Sequence, residues 1–514
     1  VTSWGLLPEK GRLSKQLQDK TIQKPMIAWL KYHKDLVWIL FFSLFYILLD
    51  GFLISKEFYY LNLIPLIVLA VMIAIYSIDT LLLLIVFFTP LSIKLSYLAP
   101  TLNIDAHLPT EPLMAGLLLI TILKYFHGQS IDRSFLRHPV SIAIYINLFW
   151  LLVTSITSTM PLVSFKFLLA RIWFLVAFYF VISGFFCSIT NVQKFIWTYT
   201  IPLVLVIGII LYKLSGYGFF NQKAAHFVVQ PFFNDHTSYG AILAFLMPVL
   251  AGLLLAYSGL RGWLRFLLAG ILGLFTVAMI FSYCRAAWVS IAGSALIMVF
   301  ILLRVRFSVM AMLGLALALT IYSYRSDIVL KLQQNRVESS KQLSEHIKSI
   351  SNVATDASNL ERLNRWSCAW RMFKEKPVFG WGPGTYMFKY SPFQIARERT
   401  IISTDFANMG NAHSEYIGPL AESGIPGSLS FLAVVVAALL TGYRVYRQTK
   451  DRNKRVLGLS ILLGLITYII HGVMNNFLDT DKASVLFWGY LSILVVFDIQ
   501  NRKEAGKEAV TMKQ

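Results

Sequence analysis

The chain has 514 residues, 57% of them hydrophobic, 14% aromatic and only 14% charged, with a mean hydropathy of +0.64. Soluble domains run near a quarter charged, so this composition excludes a disordered, collagen-like, coiled-coil or secreted disulfide-scaffold protein and points to the membrane. Lys and Arg number 46 against 26 Asp and Glu, a formal charge of +20, which in a membrane chain fits membrane lipids and an anionic lipid-linked group before any nucleic acid.

A Lys-rich stretch (Lys10, Arg12, Lys15, Lys20, Lys24, Lys31, Lys34) precedes the first apolar run at Leu36. It is much too long for the n-region of a cleaved signal peptide, so the first span is expected to be retained. Apolar runs of roughly 17 to 25 residues, the length that crosses about 30 Å of hydrocarbon as helix, then recur. They fall near 36–54, 58–77, 80–97, 112–126, 139–158, 164–186, 196–212, 239–257, 264–284, 286–303, 307–323, 414–440, 456–474 and 483–499. Period-2 alternation does not appear, so the spans are helices, which satisfy their backbone polar groups internally.

The positive-inside rule weighs Lys and Arg near span ends. A cytoplasmic N-terminus puts Lys124, Arg133 and Arg137, then Arg261 and Arg265, Arg304 and Arg306, the cluster from Arg444 to Arg455, and the tail from Arg502 on one face. An even number of spans returns both termini there. The expected organisation is a basic cytoplasmic segment (1–35), a transmembrane bundle (36–323), a large periplasmic loop (324–413), the rest of the bundle (414–499) and a cytoplasmic tail (500–514).

Within the loop, 327–350 is polar and helix-permissive, and 359–376 has helical apolar spacing at Leu360, Leu363, Trp366, Trp370 and Phe373. Pro377 ends that helix, and Gly380-Trp381-Gly382-Pro383-Gly384 is a rigid turn without the strand-before, helix-after context of a nucleotide-binding loop.

Charges at the edge of apolar spans are expensive and face a cavity or a partner. Lys166 and Arg171 lie early in the sixth span, and Arg285 sits where two spans meet almost without a loop. For each, snorkelling to the headgroups is the alternative reading. Arg362 and Arg365, one turn apart, make a fork suited to a diphosphate, because guanidinium offers planar, permanently charged donors; a solvated basic face is the alternative. His413 opens a span, where a helix N-terminus disfavours imidazolium and keeps the ring fit to act as a base. Glu415 and Glu422 follow it, while Asp235, His236, His471 and Asp479 face the same compartment. Trp366, Trp370 and Trp381 could stack on sugar rings. Cys187, Cys284 and Cys368 are too far apart for CxxC chemistry, and His226, Asp235, His236 and His413 lack a metal-ligand spacing, so no metal or cofactor is expected.

Several stretches come in a telling order: Asn234-Asp235-His236; Ser282-Tyr283-Cys284-Arg285-Ala286-Ala287-Trp288; Arg365-Trp366 leading to Lys376-Pro377-Val378-Phe379-Gly380-Trp381-Gly382-Pro383-Gly384; Ala412-His413-Ser414-Glu415-Tyr416; and Ala421-Glu422-Ser423-Gly424-Ile425-Pro426-Gly427. Over roughly residues 230–430 the chain resembles the bacterial O-antigen ligase and polysaccharide polymerase superfamily. The resemblance implies an all-α polytopic membrane protein of the GT-C type, with about 12 to 14 spans and a large helical periplasmic loop. It implies a metal-independent, inverting glycosyltransferase of the inner membrane, with its site facing the periplasm. The donor would be an undecaprenyl-diphosphate-linked glycan and the acceptor a lipid A-core or glycan hydroxyl.

Under that resemblance Arg285 corresponds to the family's span-end arginine. Arg362 or Arg365, and Arg371, correspond to its loop arginines, and His413 to its essential histidine. Arg285, Arg362, Arg365, Arg371, Arg171 and Lys166 would hold diphosphate; His413 would be the base, with Glu415 as orienter or substitute. Asp235, His236, Trp366, Trp381 and Asp479 would contact acceptor or glycan. Ser414 stands where relatives often carry Asn, so an Asn-dependent contact does not transfer. The alternatives are a repeat-unit polymerase, a protein O-oligosaccharyltransferase and a bicarbonate-like solute transporter; a coupled carrier should show carboxylates near the bilayer middle, whereas here they lie towards span ends.

Overall fold

The computed structural model describes residues 34–56, scattered positions between 60 and 76, and then 77–98, 106–127, 131–258, 261–324, 357–400, 403 and 410–511. Half of the expected span at 58–77 lies outside the described residues, and the polar stretch 327–350 wholly so. Two compact units are formed, 1–73 and 74–514. In the first, helix α1 (Lys34–Ile54) buries none of its residues, as a lipid-facing helix would not, and Tyr46 donates to the Leu61 carbonyl.

The second unit is almost entirely helical. Its elements are α2 (Ile78–Phe88), a short antiparallel pair β1 (Ile93–Lys94) and β2 (His107–Leu108), α3 (Thr110–Phe126), α4 (Pro139–Ile156), α5 (Pro161–Leu175), α6 (Ile189–Tyr217), α7 (Gln222–Phe227), α8 (His236–Ala256), α9 (Gly262–Phe281), α10 (Arg285–Leu302), α11 (Phe307–Ser323), α12 (Ala357–Glu375), α13 (Ile417–Gln448), α14 (Arg452–His471) and α15 (Asp481–Thr511). Among the described residues of the whole chain, ten helices are long and apolar enough to cross a membrane, and the protein is a multi-pass membrane protein. Two expected spans, α3 and α11, have 17 residues each.

The run expected to span 80–97 is interrupted. Pro90 has no amide hydrogen to donate and its ring obstructs the preceding turn, so α2 stops at Phe88 and the chain enters β1. The expected span at 164–186 is irregular in a different way: α5 passes into a π-helical turn (Val176–Phe180) and two 3-10 turns ending at Cys187. Carbonyls loosened by this unwinding find donors on α15: Ser492 Oγ bonds the Tyr179 carbonyl at 2.9 Å and Gln500 Nε2 the Cys187 carbonyl at 2.9 Å.

Helix α14 is central, packing against α8, α10, α13 and α15. Its apolar side chains are buried nearly all round, as a helix surrounded by others requires. Charged residues cross-link the bundle near both ends of α15. Asp481 accepts from Ser92 Oγ at 2.5 Å and Thr110 Oγ1 at 2.7 Å, and Asp498 is paired with His138, Arg444 and Arg502. Each carboxylate is fully buried and surrounded by donors, the condition under which a buried charge is tolerated.

Helix α13 carries a kink that anchors the extramembrane segment. Gly424 has φ of 66°, a conformation glycine adopts without penalty, and the break exposes the backbone of 421–425 for pairing. Trp381 N–H donates to the Ala421 carbonyl at 3.0 Å, Gly382 N–H to Glu422 at 2.8 Å, and Ile425 N–H to Pro377 at 3.0 Å. A Cβ on Gly380, whose φ is 69°, would collide with the Glu422 carbonyl. Gly424→Ala and Gly380→Ala should therefore each cost roughly 1–3 kcal/mol, read as a lower unfolding temperature in detergent. Gly184→Ala, where a Cβ meets nothing within 4 Å, should leave it unchanged; equal melting of all three would contradict this account.

Candidate active site

The site is assembled at one end of the bundle from the starts of α8 and α10, the end of α14, helix α12 and the segment before α13. Asp235 caps α8: its Oδ1 accepts from the Thr237 and Ser238 amides at 2.9 and 2.7 Å and from the Thr237 hydroxyl at 2.7 Å. Burial would raise its pKa, but these donors, with the neighbouring His236, outweigh burial and hold it below the ordinary carboxylate value. The His236 ring stacks on His226 with centroids 3.9 Å apart. His226 lies outside the spans, and burial lowers its pKa.

The turn between α9 and α10 is forced by Tyr283, whose φ of 52° is left-handed, and is closed by the Ser282 hydroxyl accepting from Cys284 N–H at 3.3 Å. Cys284 is buried, and burial raises its thiol pKa to about 11, so it stays protonated. Arg285 follows at the first position of α10. Arg362 approaches from α12, its Nε donating to the Met474 carbonyl at 3.2 Å. Burial lowers the Arg362 pKa, against which the Asp235 charge works. The two guanidinium groups are close enough to repel, and both act on His236.

His413 completes the group. Its backbone is left-handed (φ 49°), held by Asn411 Oδ1 accepting from its N–H at 3.0 Å and by Trp366 Nε1 donating to its carbonyl at 3.4 Å. Burial, then Arg362 and Arg365, lower its pKa to about 4, so the ring is neutral at physiological pH. Asp235, His236, Arg285, Arg362 and His413 are thus gathered, and His471, not singled out as a site residue by sequence reasoning, joins them with Arg362 and Asp235 as charged neighbours.

Other expected residues are engaged elsewhere. Arg365 is 3% exposed and paired with Glu361 at 2.6 Å, its guanidinium lying 3.9 Å from the Tyr390 ring centroid. Burial opposes its charge, but the Glu361 pair outweighs that and raises its pKa. Glu361 is further held by Thr400 and Ser403 hydroxyls. Arg371 binds Glu398 at 2.7 Å and the Phe393 carbonyl at 2.7 Å. Trp381 donates to the Met372 carbonyl at 2.9 Å and packs edge-on against Phe393, in the small core of the extramembrane segment. Lys166 is on an exposed face of α5.

Glu415 turns away into the bundle: its Oε1 accepts from Tyr468 OH at 2.6 Å and from the Phe477 and Leu478 amides at 2.8 and 2.9 Å, fixing the loop after α14. Burial raises its pKa. With Arg171, Glu422 and Asp479 it makes a second electrostatic group; Arg171, Glu415 and Glu422 line one small cavity with Asn147 and Pro383. Among the described residues, no cluster of three or more His, Cys, Asp or Glu could hold a metal ion.

Below the Arg285 end, an apolar groove of about 750 Å³ runs between α10, α11, α13 and α14, lined from Val289 to Ile301 on one side and Leu462 to Ile470 on the other.

A polytopic helical membrane protein with a cationic cluster at one bundle end above a lipid-sized groove is the class this geometry defines. Residues 270–432 of this multi-pass membrane chain match the family model for O-antigen ligase, so this stretch is similar to the O-antigen ligase and polymerase superfamily. The matched span includes Arg285, Arg362 and His413 but begins beyond Asp235 and His236. No curated protein matches the chain.

The different employment of the arginines can be measured. Arg365→Ala leaves Glu361 buried without its ion pair and should destabilise the fold by roughly 3–5 kcal/mol, whereas Arg362→Ala loses a bond to the Met474 carbonyl but also a cation opposed by burial and by Arg285, and should cost less, roughly 0.5–1.5 kcal/mol. A reversed order in thermal melts would contradict these assignments.

Proposed function

We propose that the protein transfers a glycan from undecaprenyl diphosphate to a sugar hydroxyl of a lipid A-core acceptor, with inversion and without a metal, at the periplasmic face of the inner membrane. The observation that carries this reading is the pairing of Arg285 and Arg362 beside neutral His413, above an apolar groove, in a stretch that matches the O-antigen ligase family model. A long polyprenyl tail suits the groove, and a diphosphate suits two cations that otherwise repel.

In this mechanism the acceptor oxygen attacks the anomeric carbon as the bond to the diphosphate oxygen breaks. Negative charge gathers on the leaving group, where fixed guanidinium groups stabilise it. The hydroxyl proton passes to His413, whose neutral ring is able to receive it. Glu415, held by three donors, positions the loop after α14, while Asp235 orients the start of α8. In the membrane the bundle would have a GT-C architecture with both termini cytoplasmic.

With purified lipid-linked donor and lipid A-core acceptor, His413→Ala and Arg285→Ala should each lower transfer at least about 100-fold while leaving membrane insertion intact. Wild-type rates in both would overturn the reading. Joining of donor units to one another, with the core left bare, would instead identify a polymerase. Chelator should have no effect. Because the His413 pKa is lowered to about 4, its ring stays unprotonated as pH falls from 8 to 5, so the rate should show no loss from this group until near 4; an acid limb at the ordinary histidine value of about 6.5 that disappears in the variant would contradict its role.

A further inference from the structure

The last residue of α14 is His471, 1% exposed. Asn475 Nδ2 lies 3.1 Å from its Nε2. An amide NH2 can only donate, so Nε2 accepts, and in the neutral ring the proton sits on Nδ1. The Phe477 ring packs against the imidazole, with centroids 5.9 Å apart. Nδ1, in contrast, makes no hydrogen bond of good geometry among the described residues, and the Ala286 backbone in the first turn of α10 offers it only a weak one. A buried N–H is normally paired, because leaving it unpaired forfeits its bond to water without replacement.

The surroundings say what kind of partner this N–H suits. Other buried orphans, such as Tyr239 OH and Trp488 Nε1, are not in the cationic cluster, but His471 has Arg362 and Asp235 as its charged neighbours, and Ala286 follows Arg285 directly. A donor in that positive field is matched by an anionic oxygen rather than by a hydroxyl or a cation. Ile469 and Ile470, immediately before His471, line the apolar groove, so the headgroup of a lipid seated there arrives at the ring.

We propose that His471, through Nδ1–H, is a third donor to the diphosphate alongside Arg285 and Arg362, an inference that rests on the donor chemistry of the preceding section. It is a binding contact distinct from the base His413: one ring is locked as a donor by Asn475, the other is available to accept a proton.

The test is equilibrium binding of undecaprenyl diphosphate, and of undecaprenol, to the full-length protein in nanodiscs. His471→Asn keeps an N–H near the Nδ1 position and should bind the diphosphate within about threefold of wild type. His471→Gln and His471→Ala, which lack it, should bind about tenfold more weakly, the loss expected for one hydrogen bond to a charged group. Undecaprenol affinity should be the same in all four proteins. Wild-type diphosphate affinity in His471→Gln, or equal weakening of the Asn and Gln variants, overturns the assignment. If His471→Ala fails to fold, the Asn and Gln pair still decides. Arg362→Ala separates the two levels: weakened by this change but insensitive to His471→Gln, the protein keeps its donor chemistry and loses only this contact, whereas a wild type that does not bind diphosphate removes both.

Discussion

Two guanidinium groups held near each other, with a carboxylate acting on Arg362 as counter-charge, set the terms for the rest of this molecule. Asp235 supplies that charge, yet its Oδ1 is spent on capping α8. Arg285 also stands at the positive end of α10, where a cation is least welcome. Burial, repulsion and the helix dipole all disfavour the arrangement, so the scaffold must impose it. Sites of this kind are stable only because surrounding structure over-determines them, and an anion between the cations relieves the conflict.

The over-determination can be followed residue by residue. Left-handed turns at Tyr283 and His413 aim the arginine and the imidazole. Arg362 reaches inward because α12 is tethered twice: Arg365 and Glu361 tie it to the Tyr390 and Ser403 side of the extramembrane segment, and the paired backbones of 377–382 and 421–425 tie that segment to the kinked α13. Glu415 then pins the loop after α14, which provides the Met474 carbonyl for Arg362 and the Asn475 amide for His471. Charges that look catalytic in a sequence are here divided between a site and its supports.

Much of the fold was legible beforehand because the bilayer imposes a crude rule: apolar runs of the right length become helices. The expected helix at 359–376 is α12 (Ala357–Glu375), and the expected meeting of two spans at Arg285 is the Tyr283 turn. Where a local interaction overrode hydropathy, the reading failed. Pro90 truncates α2, and the π-helical turn at Val176–Phe180 interrupts a run whose composition gives no warning. In the site, the gathering of Arg285, Arg362 and His413 follows motifs that sequence displays. The employment of Arg365 was readable in principle, since Glu361 stands at the i,i+4 spacing of an ion pair. The placement of Glu415 and His471 was not, because their partners at 468–478 come from a loop whose path hydropathy does not describe.

The most direct test of the central claim is a cryo-EM reconstruction of the full-length protein in nanodiscs with undecaprenyl diphosphate bound. The account predicts phosphate density between the Arg285 and Arg362 guanidinium groups, within hydrogen-bond distance of both, with the His413 ring facing its outer end and the polyprenyl chain running down the groove past Val289 and Ile470. Phosphate density in the Arg171, Glu415 and Glu422 cavity, with the Arg285 and Arg362 pair left unbridged, would contradict it.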